Sequence, residues 1–290
     1  NDLSDEVVGM WVCTYVPWMD ADMAVNIYQA DGKAFFTGFV GDADFDYASN
    51  VETTYKVIGN LMFQSNPMSY EGAPEYLAFR MDYSPNGSEH GDVLTNTNIM
   101  VFGDEVIETT ASMIRIRQTL DLPGMKYDYM KTFVTNVKGE DKDIPFLNTS
   151  FNFAKMDGSI IDKFLKSILF TVEFPEANKI KYSYLLEGKN IVIDAPIEVD
   201  GNKMTIKMSA NNPAYQDVDM YAFQDQDNTQ MHWYMPTTSF EKFFGNTSVA
   251  LMLGYGQLDK DDTEGIANVY KTIADAVESI NLSLVMTKAK

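Results

Sequence analysis

The residues whose types could do chemistry are few: His90, His232, Cys13 and the run Asp42-x-Asp44-x-Asp46. The two histidines fall in different halves of the chain. No Gly-x-Ser-x-Gly elbow, P-loop or His-Glu-x-x-His stretch accompanies them. His90 stands in Asn86-Gly87-Ser88-Glu89-His90-Gly91, which reads as a solvated turn. His232 alternates with Met231 and Trp233, so it points to the opposite face of a strand. Both read as structural or surface histidines. Among 42 acidic side chains some carboxylate pair would arise in any fold, so their number says nothing of glycosidase-type catalysis. Cys13 is the sole cysteine and can make neither an internal disulfide nor, alone, a thiolate metal site. Its place in the apolar run Met10–Tyr15 reads as a small buried hydrophobe. The aspartate run matches the start of a Ca²⁺ loop, but Tyr47 stands where such a loop needs Gly and Thr53 where it needs a bidentate Glu. It reads as an acidic loop, and Asp225, Asp227 and Asn228 read as a hairpin turn. No catalytic residue, metal ligand or cofactor is assigned, and a non-enzyme is expected.

Binding chemistry is better represented. The chain has 18 methionines, many beside aromatic residues, and flexible thioethers with aromatic faces suit adaptable apolar binding. Trp18, in Pro17-Trp18-Met19-Asp20, together with Tyr221, Phe223, Met231, Trp233 and Met235, forms the candidate ligand set. The same residues could instead fill a core. A formal charge of −20 would repel a nucleic-acid backbone and anionic lipid headgroups alike. It leaves a small apolar ligand or a cell-surface partner as the expected company. No apolar run approaches the roughly 20 residues of a membrane-spanning helix.

The elements that must position these residues are mostly strands. Val51, Thr53, Tyr55 and Val57 alternate with polar residues, as do Leu77 to Tyr83, Met204 to Met208 and Ile280 to Met286. Asp31-Gly32, Gly59-Asn60, Asn86-Gly87, Gly188-Lys189 and Asp200-Gly201 punctuate them as turns. Many short strands at even spacing indicate a barrel or sandwich. Helices are expected over Ser159–Leu169, Ser239–Leu253 and Thr263–Ile280, the last led by Asp261 and Asp262 at its positive end. At a constant offset of 129 positions, Val51 meets Ile180, Tyr55 meets Tyr184, Gly59 meets Gly188, Pro67 meets Pro196, Gly72 meets Gly201 and Phe79 meets Met208. This reads as a duplication, with the boundary in the polar stretch Asn136–Asp143 and domains over 1–138 and 139–290.

Val8-Gly9-Met10-Trp11, followed by the Asp-Gly-turned hairpin Ile27–Phe35, resembles the opening of lipocalin-like domains. The second half is similar to the calycin-like β-barrel domain of exported lipoproteins from gut Bacteroidetes, through Asn202–Ile206, Met220–Asp225, Met231–Met235 and Ser279–Lys288. That resemblance implies a mainly β chain of two tandem lipocalin-like or calycin-like antiparallel barrels, with a few helices in the second domain. In such domains the tryptophan plugs the closed end of the barrel. The resemblance also implies a periplasmic or outer-membrane-surface location and a lipid anchor upstream of residue 1. The start at Asn1 is consistent with a removed export signal. The expected function is a non-enzymatic protein holding a small apolar or amphiphilic ligand in a barrel cavity; the alternative is a structural or protein- or glycan-interaction module with filled barrels.

Overall fold

The computed structural model describes residues 2–13, 24–38, 51–66, 71–146 and 149–290. The chain forms two compact units. The first comprises Asn1–Gln118 with Phe223–Thr229, and the second Thr119–Ala222 with Gln230–Lys290.

In the first unit eight strands close into an antiparallel barrel, each paired with its neighbour in sequence and the last with the first. They are β1 (Gly9–Cys13), β2 (Ala24–Tyr28), β3 (Lys33–Gly38), β4 (Val51–Ile58), β5 (Leu61–Ser65), β6 (Tyr76–Ser88), β7 (Gly91–Phe102) and β8 (Glu105–Ile116). Closure is made by Met10–Cys13 pairing with Met113–Ile116. The second unit opens with β9 (Met125–Gly139) and a small hairpin of β10 (Ile144–Phe146) and β11 (Thr149–Phe151), followed by α1 (Gly158–Ser167). Next come β12 (Thr171–Glu176), β13 (Lys179–Leu186), β14 (Lys189–Asp200), β15 (Lys203–Ile206), β16 (Val218–Gln224) and β17 (Gln230–Met235). Then α2 (Thr237–Gly254) and α3 (Thr263–Ala276) precede β18 (Val277–Lys288). Strands β12 to β18 and β9 close a second antiparallel barrel of eight.

Two tandem barrels of this kind fit a calycin-like fold, as the sequence led us to expect. Three expectations of detail are corrected. The boundary at 138/139 fails because β9 is itself a barrel strand, paired with β12 on one side and β18 on the other. Its last residues fall in the polar stretch Asn136–Asp143 that reads as a boundary on sequence alone, and Lys138 there is exposed. The third helix ends at Ala276 instead of Ile280, because Val277 starts a strand that answers the period-two pattern of Ile280 to Met286. Third, the offset of 129 aligns β4, β5 and β6 with β13, β14 and β15, which are the fourth to sixth strands of one barrel and the third to fifth of the other. The matched residues therefore mark one strand–turn–strand unit used at different places. Gly59 and Gly188 do share a positive φ, +64° and +77°, as tight turns require.

The second barrel is filled by its own side chains. Trp233, Tyr182, Phe174, Met204, Met220 and Met231 are all almost completely buried in one apolar cluster. Phe170 packs against Trp233, Tyr182 and Phe243. Between α1, α2 and the sheet, Phe151, Phe164, Phe170, Phe240 and Phe244 help to line a mainly apolar cavity of about 60 Å³. Liquid water occupies about 30 Å³ per molecule, so this void is far smaller than a lipid. Removing the central ring tests the packing: Trp233→Ala is expected to cost about 3–5 kcal/mol in chemical denaturation. A variant as stable as the parent would show that this interior is not close-packed.

Candidate ligand site inside the first barrel

The first barrel is built differently. The cross-strand register places Trp11, Asn26, Tyr28, Ala34, Thr53, Tyr55, Met62, Gln64, Phe79, Met81, Leu94, Asn96, Asn98, Ala111 and Met113 on one face. The other face carries exposed groups such as Asp82 and the Arg80–Glu108 ion pair at 2.9 Å. Since neighbouring strands share a pleat, the buried set is the barrel interior.

That interior holds a polar band. Asn96 and Asn98 are 3% and 2% exposed, and Thr53 and Gln64 are also buried. Gln64 Nε2 donates to Thr53 Oγ1 at 2.8 Å, and Thr53 Oγ1 donates in turn to the Ala34 carbonyl at 3.3 Å. Asn26 Nδ2 donates to the Met113 thioether at 3.0 Å. Burial pushes the Tyr28 hydroxyl far above the ordinary tyrosine range, opposed by a hydrogen bond from the Asn96 side chain. Its ring meets Tyr55 edge-on at 5.1 Å. Among the described residues of this face, three buried oxygens have no partner: Asn96 Oδ1, Asn98 Oδ1 and Thr109 Oγ1. Asn98 stands directly opposite both Phe79 and Thr109. An unmet buried acceptor costs about 1–3 kcal/mol, so three neighbouring ones are expected where something other than protein meets them.

One end of this interior is closed by a network around Trp11. The ring is fully buried, and its Nε1 donates to the Val7 carbonyl at 2.9 Å. The Arg115 guanidinium lies over it, 4.2 Å from the ring centroid. Arg115 also donates to the carbonyls of Val8 and Glu6, at 2.7 and 2.5 Å, and to Asp92 at 3.2 Å. Gly9 is obligatory beside it: its φ is +140°, and a Cβ there would lie 2.5 Å from Arg115 Nη1. The Gly-x-Trp signature is thus explained by close approach of an arginine. Asp92 further accepts from Tyr83 Oη at 2.7 Å and from the Asn86 backbone at 3.0 Å.

The sequence-derived residues scatter. Met231, Trp233 and Met235 lie together in the packed core of the second barrel, where Trp233 Nε1 donates to the Met231 sulfur at 3.1 Å. Tyr221 and Phe223 lie outside that cluster, with Tyr221 stacked on Tyr234 at 6.3 Å. Trp18, Asp42, Asp44 and Asp46 are outside the described residues. His232 is buried on the face opposite Trp233 and meets Gln230 Oε1 at 2.9 Å. His90 requires correction: its side chain is 20% exposed, and Nδ1 meets Asp225 Oδ2 at 3.1 Å and Thr229 Oγ1 at 2.8 Å. The reading as a solvated turn missed a partner 135 positions away. Both contacts use the same ring nitrogen, and Nε2 faces the exposed Glu89 carboxylate at 3.6 Å. That arrangement fastens a turn; it does not set a hydroxyl up as a nucleophile, which needs acid and nucleophile on opposite nitrogens.

The polar band was missed because Thr95-Asn96-Thr97-Asn98 lacks the apolar contrast that tells inside from outside. Hairpin register against Phe79 and Met81 supplies that contrast. No family model, curated protein or solved structure matches this chain.

Asp92 gives this end of the barrel a pH signature. Burial raises its carboxyl, but the Asn86 N–H, the Tyr83 hydroxyl and Arg115 outweigh it and hold the group below its ordinary value of 3.8. A depressed native pKa stabilises the fold above the ordinary value, and that stability is lost as pH falls through the native one. Asp92→Asn should therefore cost about 1–3 kcal/mol at neutral pH in urea titrations. The gap from the parent should close below pH 3.8. A gap that persists undiminished in acid would contradict this.

Proposed function

We propose that the first barrel is a non-enzymatic binding module for one small amphiphilic molecule held inside the closed sheet. In this reading the second barrel is a structural module. The unmet oxygens of Asn96, Asn98 and Thr109 carry the reading, because they lie on the interior face of a closed barrel among Met62, Phe79, Met81 and Met113. An eight-stranded barrel has room for its own side chains or for one small ligand. An unfilled acceptor band favours the ligand, which side chains as deeply buried as Met62 and Leu94 must shift to admit. The resemblance to exported calycin-like lipoproteins supports the same reading and adds a periplasmic or cell-surface location to the proposal. Among the described residues no helix is long and apolar enough to cross a membrane.

A glycan- or protein-binding surface is a second reading. It is favoured by a cleft of about 640 Å³ on the second unit, where Tyr215 and Tyr270 stand beside Asn212, Gln216, Lys260 and Asp261.

A binding site kept at the expense of stability has a recognisable signature. Thr109→Val should raise the stability of the ligand-free protein by about 1 kcal/mol in urea titrations, since an unmet buried hydroxyl is replaced by an isosteric methyl group. The same variant should lose affinity for N-phenylnaphthylamine, a neutral apolar fluorophore with one N–H donor. Native mass spectrometry of the parent after incubation with a lipid extract should show a bound species. A clean unliganded mass with no fluorophore binding would reject the reading.

A further inference from the structure

Resting on the second, surface-binding reading above, we infer that the cleft on the second unit takes a short, electrically neutral oligosaccharide and not a peptide. The cleft is built from the loop 211–216 and the start of α3, and from no barrel strand. Its volume of about 640 Å³ falls within the roughly 300–1,000 Å³ usual for small-molecule sites. Both walls are fixed by the fold itself. The Asn246 side chain, fully buried on α2, accepts from the Gln216 N–H at 2.9 Å and donates to the Gln216 carbonyl at 2.8 Å. From α3 the Tyr270 hydroxyl reaches the Ala214 carbonyl at 3.1 Å and the same Asn246 side chain. Gly245 gives the Tyr270 ring its place, since a Cβ there would lie 2.4 Å from a ring carbon.

The main chain of both walls is largely paired already. The N–H groups of Ala214 and Tyr215 donate to the Asn212 side chain and carbonyl, each at 2.9 Å, and position 213 is a proline. Across the cleft, the N–H groups of Thr263, Gly265 and Ile266 are taken by Asp261 and Asp262. An extended peptide adds to an open strand edge through its backbone, and the closed barrel and these paired groups deny it one. Side chains remain. Gln216, Lys260 and Thr263 are exposed at the cleft, and Gln216 enters the frame above only through its backbone. An amide and a hydroxyl each both donate and accept, as a sugar hydroxyl does. Tyr215, its hydroxyl met by the Asn212 side chain, supplies with Ala267 apolar surface for the C–H face of a sugar ring. Among the described residues, Lys260 and Asp261 are the charged groups of the lining, one of each sign. An anion would meet Asp261 and a cation Lys260, whereas a neutral ligand leaves both in water.

The experiment screens the whole protein on an array of neutral and uronate-bearing oligosaccharides, then titrates the best neutral binder by calorimetry. Neutral members should bind. Gln216→Ala should weaken the titrated sugar about tenfold, the equivalent of one well-made hydrogen bond. Ala267→Trp, which fills the cleft from an exposed position on α3, should abolish binding with the urea midpoint unchanged. Binding that both variants leave intact would put the sugar elsewhere and overturn the assignment. Uronate-bearing glycans bound as tightly as neutral ones would overturn the selection by charge. A silent array, beside a phage-displayed peptide whose binding Ala267→Trp abolishes, would overturn the sugar while keeping a surface site in this cleft. No binder in either screen would sink the surface reading on which the inference rests.

Discussion

A closed antiparallel sheet sends every second residue of every strand into one enclosed volume, and everything else in this protein follows from how that volume is filled. Eight strands leave little more space than their own side chains can occupy. The second barrel accepts that limit with aromatic rings and thioethers, and the cavity between its helices and sheet is about 60 Å³. The first barrel places asparagines, a glutamine and threonines at equivalent interior positions, where they compete for too few partners. The two interiors share a topology and differ in chemistry.

The closed end of the polar interior is tightly made. Trp11 and Arg115 meet ring to guanidinium, and Gly9 is the only residue type that leaves the guanidinium its space. Asp92 then ties Tyr83, Asn86 and Arg115 together at one carboxylate. Arg115 is thereby held by fixed partners and is not left as a free cation facing the interior. The residues that close the barrel also set the electrostatics above them.

Much of the architecture was legible in the residue pattern. Period-two runs such as Leu77 to Tyr83 and Met204 to Met208, with their glycine turns, specify strands because each buries one face. All three helices were visible from their apolar stripes, and only the end at Ala276 was misplaced, where helix and strand patterns overlap. What was not legible is pairing across distance. The end of strand β9 looks like a domain boundary until β18 pairs with it as far as Gly139. His90 looks solvated until Asp225 reaches it. The asparagine band looks like any polar strand until register shows that Asn98 faces Phe79. Met231, Trp233 and Met235, chosen for aromatic and thioether content, fell instead into a packed core, because the chemistry that fills a core and the chemistry that holds an apolar ligand are the same.

The most direct measurement is a high-resolution crystal structure of the protein grown with dodecanol, read for density inside the first barrel. The account predicts a single elongated molecule there, with its hydroxyl within hydrogen-bonding distance of the side-chain oxygens of Asn96 or Asn98. An interior closed by protein side chains, with those oxygens accepting hydrogen bonds from the protein itself, would contradict it.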